Sequence, residues 1–207
     1  MAGPARGGQN EAMIRKMPAI AVGAGVTAIV VAMLVAPYLS LPIYSSMAHS
    51  TSELAGQNMP AAWIMRAGFL AYGGSVVLAG GLSLAACPPR RAALIGFGLA
   101  MIATAVWSTA PIDPGLPADM AEDRLHSIAS GAVGAAFAMA CALALFGPGG
   151  RGGDGLAWLG LLSSVVIPLA MGGLPDFRGL LQRGMFAISF AFVLREFIPW
   201  RPARWRR

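Results

Sequence analysis

An all-helical, polytopic membrane bundle of six transmembrane helices is the fold this sequence predicts, and three observations predict it. Hydrophobic residues make up 57% of the 207 residues and charged residues 12%, so a soluble globule of this size would lack the polar surface to coat itself. Six apolar stretches follow one another between Ala19 and Trp200, each about the 17 to 25 residues that cross a hydrocarbon core. The segments between them alternate in kind: arginine-bearing ones take turns with ones that carry most of the acids and both histidines. Lipid offers a backbone no hydrogen-bond partner, so apolar runs of this length must be helices.

The expected spans are residues 19–36, 67–87, 92–110, 127–146, 156–173 and 180–200. The first is longer than the apolar region of a signal peptide and runs to Pro37 without a small-residue cleavage pattern, so it is expected to stay as a helix. The second and third carry Gly73, Gly74, Gly80 and Gly81, and Gly96 and Gly98, which suit close helix packing. The fourth has two small-residue rows, Ser127, Gly131 and Ala135 beside Ser130 and Gly134, expected to admit a neighbouring backbone. Pro168 is a candidate kink in the fifth. In the sixth, Arg183, Arg195 and Glu196 leave only residues 184–194 free of charge, a length that also suits a helix lying in the interface. Spanning is the better expectation, because both arginines can snorkel, Phe197, Ile198 and Trp200 extend the apolar run, and an interfacial helix would strand the basic tail on the wrong side.

Orientation follows from the cations. The N-terminal segment, the second and fourth connections and the tail hold eleven (Arg6, Arg15, Lys16, Arg90, Arg91, Arg151, Arg195, Arg201, Arg204, Arg206 and Arg207), against four on the other side (Arg66, Arg124, Arg178 and Arg183). The positive-inside rule then puts both termini in the cytoplasm and the first, third and fifth connections outside. The domain organisation expected is a cytoplasmic segment over residues 1–18, a six-helix domain over 19–200 and a basic tail over 201–207. The expected setting is a bacterial cytoplasmic membrane. A net charge of +6 would point to nucleic acid in a soluble protein, but here the arginines sit at helix ends, where they serve orientation and lipid contact, so no nucleic-acid partner is expected.

No Walker loop, Gly-x-Ser-x-Gly elbow, His-Glu-x-x-His helix or Cys-x-x-Cys pair occurs in the sequence. Cys87 and Cys141 fall toward the inner helix ends, where packing is expected and a disulfide is not.

The stretch from Tyr44 to Gly56, with Tyr44, Ser45, His49, Ser52, Glu53 and Leu54, together with Met65 to Phe69, Pro111 to Pro114, His126 and Gly179 to Arg183, resembles the bacterial membrane-protein family DUF998. The likeness spans most of the chain and departs from the family's pattern at Ala55, where glycine is expected, and at Gln182, where glutamate is common. It implies a six-helix membrane protein of uncharacterised activity, distantly similar to the six-helix autophagy-modulator and Sfk-type membrane proteins, and supplies no reaction.

The segments that carry this resemblance lie on the outer side, where a polar pocket is expected. His49 and Glu53 are four apart, as are Glu122 and His126, so each pair shares a face if its segment is helical. Three readings compete. In one, the charges only solvate loops and cap helices, Asp119, Glu122, Asp154 and Arg178 among them. In another, His49, Glu53, Asp113 and His126 converge as a catalytic or zinc site acting on an outer-leaflet lipid, with Ser52, Arg66, Asp176 and Arg183 holding the ligand. In the third, which the short loops and missing catalytic motifs favour, the rim recognises membrane lipids or a larger membrane complex. A small-molecule transporter is the weakest alternative, because no charge sits at mid-helix and only the hydroxyls of Ser75, Ser83, Thr104, Ser163 and Ser164 are offered. The tail residues Trp200, Arg201, Arg204, Trp205, Arg206 and Arg207 pair interfacial aromatics with cations and are expected to touch anionic lipid.

Overall fold

The computed structural model describes residues 5–83 and 87–198, with side chains from Lys16 onward. Its helices are α1 (Ala5–Val35), the single turn α2 (Thr51–Leu54), α3 (Ala62–Leu82), α4 (Pro88–Val106), α5 (Met120–Phe146), α6 (Gly155–Gly173) and α7 (Arg178–Phe197), and among the described residues there is no strand. Six of the helical segments are long and apolar enough to cross a membrane, α7 included. The tail residues Trp200, Arg201, Arg204, Trp205, Arg206 and Arg207 lie outside the described residues.

The long helices pack in chain order: α1 on α3, α3 on α4, α4 on α5, α5 on α6 and α6 on α7, with α7 returning to α1. Aromatic rings fill the space they enclose. Tyr72 of α3 meets Phe97 of α4 and Phe190 of α7 edge-on at 5.7 and 5.0 Å, and Phe137 of α5 meets Phe97 and Phe192 at 5.8 and 5.5 Å. Ring pairs of this geometry add about 0.5 to 1.5 kcal/mol each beyond the area they bury. The outward faces are apolar in turn: Leu78, Leu99, Ile128, Leu162, Val166 and Leu169 are all exposed, the pattern of a surface meant for lipid.

Where lipid is the solvent, hydroxyls must find partners inside the protein. Ser75, Thr104 and Ser163 each donate to a carbonyl three residues back in their own helix, at 2.7, 2.7 and 2.9 Å, and Ser164 donates to the Gly160 carbonyl at 2.8 Å. These hydroxyl protons are spent locally.

Of the close packings expected from small residues, that of α3 with α4 is present and that of the α5 rows needs correcting. Close backbone approach occurs between α3 and α4, where a Cβ on Gly73 would meet the Gly98 carbonyl at 2.6 Å and the reverse holds at the same distance. The α5 rows do not serve this purpose: a Cβ on Gly131 or Gly134 would meet nothing within 4 Å, and Ser127 and Ala135 are exposed. That helix instead turns inward the face of Phe137, Ala140 and Cys141, and Cys141 packs on Gly160 of α6. Cys87 and Cys141 are both free thiols.

The helix ends also shift, for a hydrogen-bonding reason. α5 starts at Met120, well before residue 127, because the Asp119 carboxylate accepts from the backbone N–H of Ala121 and Glu122. α4 stops at Val106 because the N–H groups of Ser108 and Ala110 donate to the Glu122 and Asp123 carboxylates and not to their own helix.

Candidate functional site

Antiparallel packing divides the chemistry between two ends. The distal end holds the connections 36–61, 107–119 and 174–177, and the basal end holds Ser83, Cys87, the connection 147–154 and the last turn of α7.

At the distal end the predicted residues form two separate clusters. In the first, Ser50 caps α2 and Glu53 closes a capping box: the Glu53 N–H donates to Ser50 Oγ at 3.1 Å, and Ser50 N–H donates to Glu53 Oε2 at 2.6 Å. The other Glu53 oxygen takes Arg178 Nη2 at 2.7 Å. Arg183 Nη1 donates to the carbonyls of Ser46, His49 and Gly179, and its Nη2 donates to the Tyr44 hydroxyl at 2.7 Å. Burial pushes the Tyr44 hydroxyl up from its ordinary value although Arg183 works in the opposite direction, so it stays protonated and donates toward the His49 and Ser50 carbonyls. His49 Nδ1 accepts from Ser45 N–H at 2.9 Å, which places the proton of its neutral ring on Nε2, and the ring stacks on Tyr44. Gln182 Oε1 accepts from both the N–H and the hydroxyl of Thr51, each at 2.7 Å. The head of α7 is thereby bound to the α1–α2 connection. It fits because residue 179 has no side chain: a Cβ there would run into the His49 carbonyl.

The second cluster binds the α4–α5 connection to the α2–α3 connection. Buried Gln57 donates to the Ser108 and Asp119 carbonyls, both at 2.9 Å, and accepts from Asp119 N–H at 2.6 Å. His126 is 4% exposed and its Nδ1–H donates to the Trp107 carbonyl at 2.8 Å. Glu122, one turn earlier on α5, takes Ser108 N–H at 2.7 Å, so this pair does share a face, and that face is turned to the connection. The His49–Glu53 pair does not share a helical face, since α2 begins only at Thr51.

The four residues expected to converge are thus distributed: His49 and Glu53 in the first cluster, His126 in the second, and Asp113 in a local turn where Oδ1 accepts from Gly115 N–H. Among the described residues no group of three or more His, Cys, Asp or Glu is placed to hold a metal ion. Arg66 donates to the Ala55 and Gly56 carbonyls, Ser52 is half-buried within α2, and Asp176 is exposed.

The basal end holds what the sequence reading missed. A cavity of about 560 Å³ opens there among Arg90 of α4, Gly149, Arg151 and Gly153 of the α5–α6 connection, Asp154 at the cap of α6, and Arg195 and Glu196 of α7. Arg195 reaches Asp154 at 2.6 Å and Glu196 at 3.4 Å, and its guanidinium lies 5.1 Å from the Phe192 ring centre. Burial works to raise the Asp154 carboxyl, but the Arg195 hydrogen bond, the Ala157 N–H and the guanidinium charge outweigh it and hold that carboxyl below its ordinary range. Arg90 Nε stands 3.2 Å from Glu196 Oε2, yet its N–H makes no aligned hydrogen bond, so this contact is an ion pair without directional support. The signal was legible: Arg195 and Glu196 interrupt an otherwise apolar run, and residues 147–155 contain six glycines.

A six-span helical bundle with a fastened polar cap at one end and a charged cavity at the other defines a multi-pass membrane protein. The chain belongs to the family described as protein of unknown function, DUF998, whose model matches residues 20–195. No curated protein and no solved structure matched the chain.

Proposed function

We propose that this protein is a non-catalytic lipid-binding or accessory component of a bacterial cytoplasmic membrane, with its basal end on the cytoplasmic side. One observation carries the reading: His49, Glu53, Glu122, Asp123 and His126 each hold a backbone group of a distal connection. A general base must reach a substrate proton, and a side chain fixed on a neighbouring N–H or carbonyl is poorly disposed to do so. The distal cap is then a rigid recognition rim, and the concave surface available to a lipid lies at the other end. The arginine count on the basal side supports the orientation.

The test compares the wild type with His49→Ala and His126→Ala, each purified in a phosphate-free detergent and assayed for extracted lipid and for zinc. Lipid retained by all three, with zinc well below one atom per chain, is expected. Stoichiometric zinc that both variants lose overturns the reading and returns the distal histidines to chemistry.

A further inference from the structure

The basal cavity is built for an anion, and the glycines around it matter as much as the cations. Three guanidiniums (Arg90, Arg151 and Arg195) and two carboxylates (Asp154 and Glu196) line it, an excess of one positive charge. Arg195 engages both carboxylates, and its fork is occupied. Arg90 is only electrostatically paired, with its Nε–H unaligned, and Arg151 is exposed and has no side-chain partner among the described residues. Two guanidiniums therefore border an open space with donors to spare.

The α5–α6 connection adds backbone donors. Gly150 and Arg151 donate their N–H groups to Gly147 and Ala144, whereas those of Gly149, Gly152 and Gly153 make no hydrogen bond among the described residues. Of these, Gly149 and Gly153 line the cavity; Gly149 has φ +70°, and an added Cβ at either would meet nothing within 4 Å, so a ligand can approach this backbone closely. Guanidinium forks beside unpaired glycine N–H groups match tetrahedral phosphate oxygens, and a planar carboxylate with two oxygens would use fewer of them. The volume is within the roughly 300 to 1,000 Å³ typical of ligand sites, and it opens where the apolar helix surface ends.

We propose that the basal cavity binds a phosphate ester through Arg90, Arg151 and the glycine-rich connection, a chemistry shared by phospholipid headgroups and free phosphorylated solutes. This deepens the lipid-binding reading and rests on it for the lipid source alone.

Full-length protein in dodecyl maltoside is titrated with phosphatidylglycerol, with diacylglycerol of the same chains, and with inorganic phosphate, and binding is read by native mass spectrometry and by displacement. The variants are Arg151→Gln, Arg90→Gln and Arg151→Lys. Phosphatidylglycerol is expected to bind well above diacylglycerol, each glutamine to weaken it about tenfold, and lysine to restore part of the loss. The Arg151 side chain has no partner among the described residues, so Arg151→Gln keeps the wild-type melting temperature and its binding result stands independently of Arg90. Inorganic phosphate that competes at millimolar concentration, with equal uptake of the two lipids, supports the phosphate site and assigns it to a free solute. Phosphatidylglycerol held equally by wild type and Arg151→Gln overturns the site while leaving the lipid-binding reading intact. Binding of neither phosphate nor phosphatidylglycerol overturns the site as well.

Discussion

The two ends of this bundle use the same residue types to opposite effect. At the distal end arginines, acids and amides point at backbone groups of connections far away in sequence, as Arg183 does toward Ser46 and Gln57 toward Ser108 and Asp119. At the basal end the charged side chains largely face one another and leave a cavity between them. Backbone conformation follows the same division. The distal α2–α3 connection holds Asn58 and Ala61 at φ 54°, a left-handed conformation costly for residues with a Cβ, whereas the one positive φ among the described basal residues belongs to Gly149. Strain of that kind persists only where surrounding bonds over-determine it. The contrast separates a fastened end from an end open to a ligand, and it can be broken from either side.

The largest effect belongs to Gly179. Gly179→Ala drives a methyl into the His49 carbonyl and prises the head of α7 from the α1–α2 connection, loosening the bond from Leu180 N–H to the Met47 carbonyl and those of Arg183. A loss of roughly 3 kcal/mol is expected, from overpacking together with stranded carbonyls. Thermal unfolding in detergent measures it, and a wild-type melting temperature would show that the two distal connections are not fastened through this point.

Next is Gln57. Gln57→Leu keeps the volume and removes the amide, leaving the Ser108 carbonyl and the Asp119 N–H without their partner and the Asp119 carbonyl with only the Asp123 N–H. About 2 kcal/mol should be lost. Amide exchange should quicken at Asp119 and in the first turn of α5 while α7 stays protected, since Gln57 belongs to the second cluster alone. Equal loosening of α7 would mean that the two clusters act as one.

How much of this was legible in the sequence depends on the range of the interaction. The six spans follow from apolar length, a local property, and the structure has them. Asp154 was foreseeable as a cap for the same reason, since capping needs only the next three residues, whereas the α5 cap was expected near Glu122 or Asp123 and lies at Asp119. The inward face of α5 was misread because small residues mark a close approach only if a neighbour lies on their side, and the choice went to the face of Phe137. Convergence of His49, Glu53, Asp113 and His126 was out of reach, because it depends on how three distal connections cross. Several of the resemblance-bearing residues hold those crossings together. Gln182 shows it: only its Oε1 is used, as a double acceptor for Thr51, a role a glutamate would fill equally well.

Ala61 gives the smallest effect and the sharpest reading of how firmly the distal end is held. Its left-handed backbone at the N-cap of α3 costs an L-residue roughly 1 kcal/mol, and glycine adopts it freely. Glycine also loosens the unfolded chain by up to about 1 kcal/mol, so the two terms nearly cancel and Ala61→Gly should shift stability by less than about 0.5 kcal/mol. At an ordinary right-handed or extended position only the second term would act, and the same substitution would destabilise. A melting temperature within a degree or two of wild type therefore marks a residue whose conformation its surroundings dictate. A clear drop would mean that residue 61 escapes the left-handed conformation in solution, and that the distal connections are less constrained than the bonds around them imply.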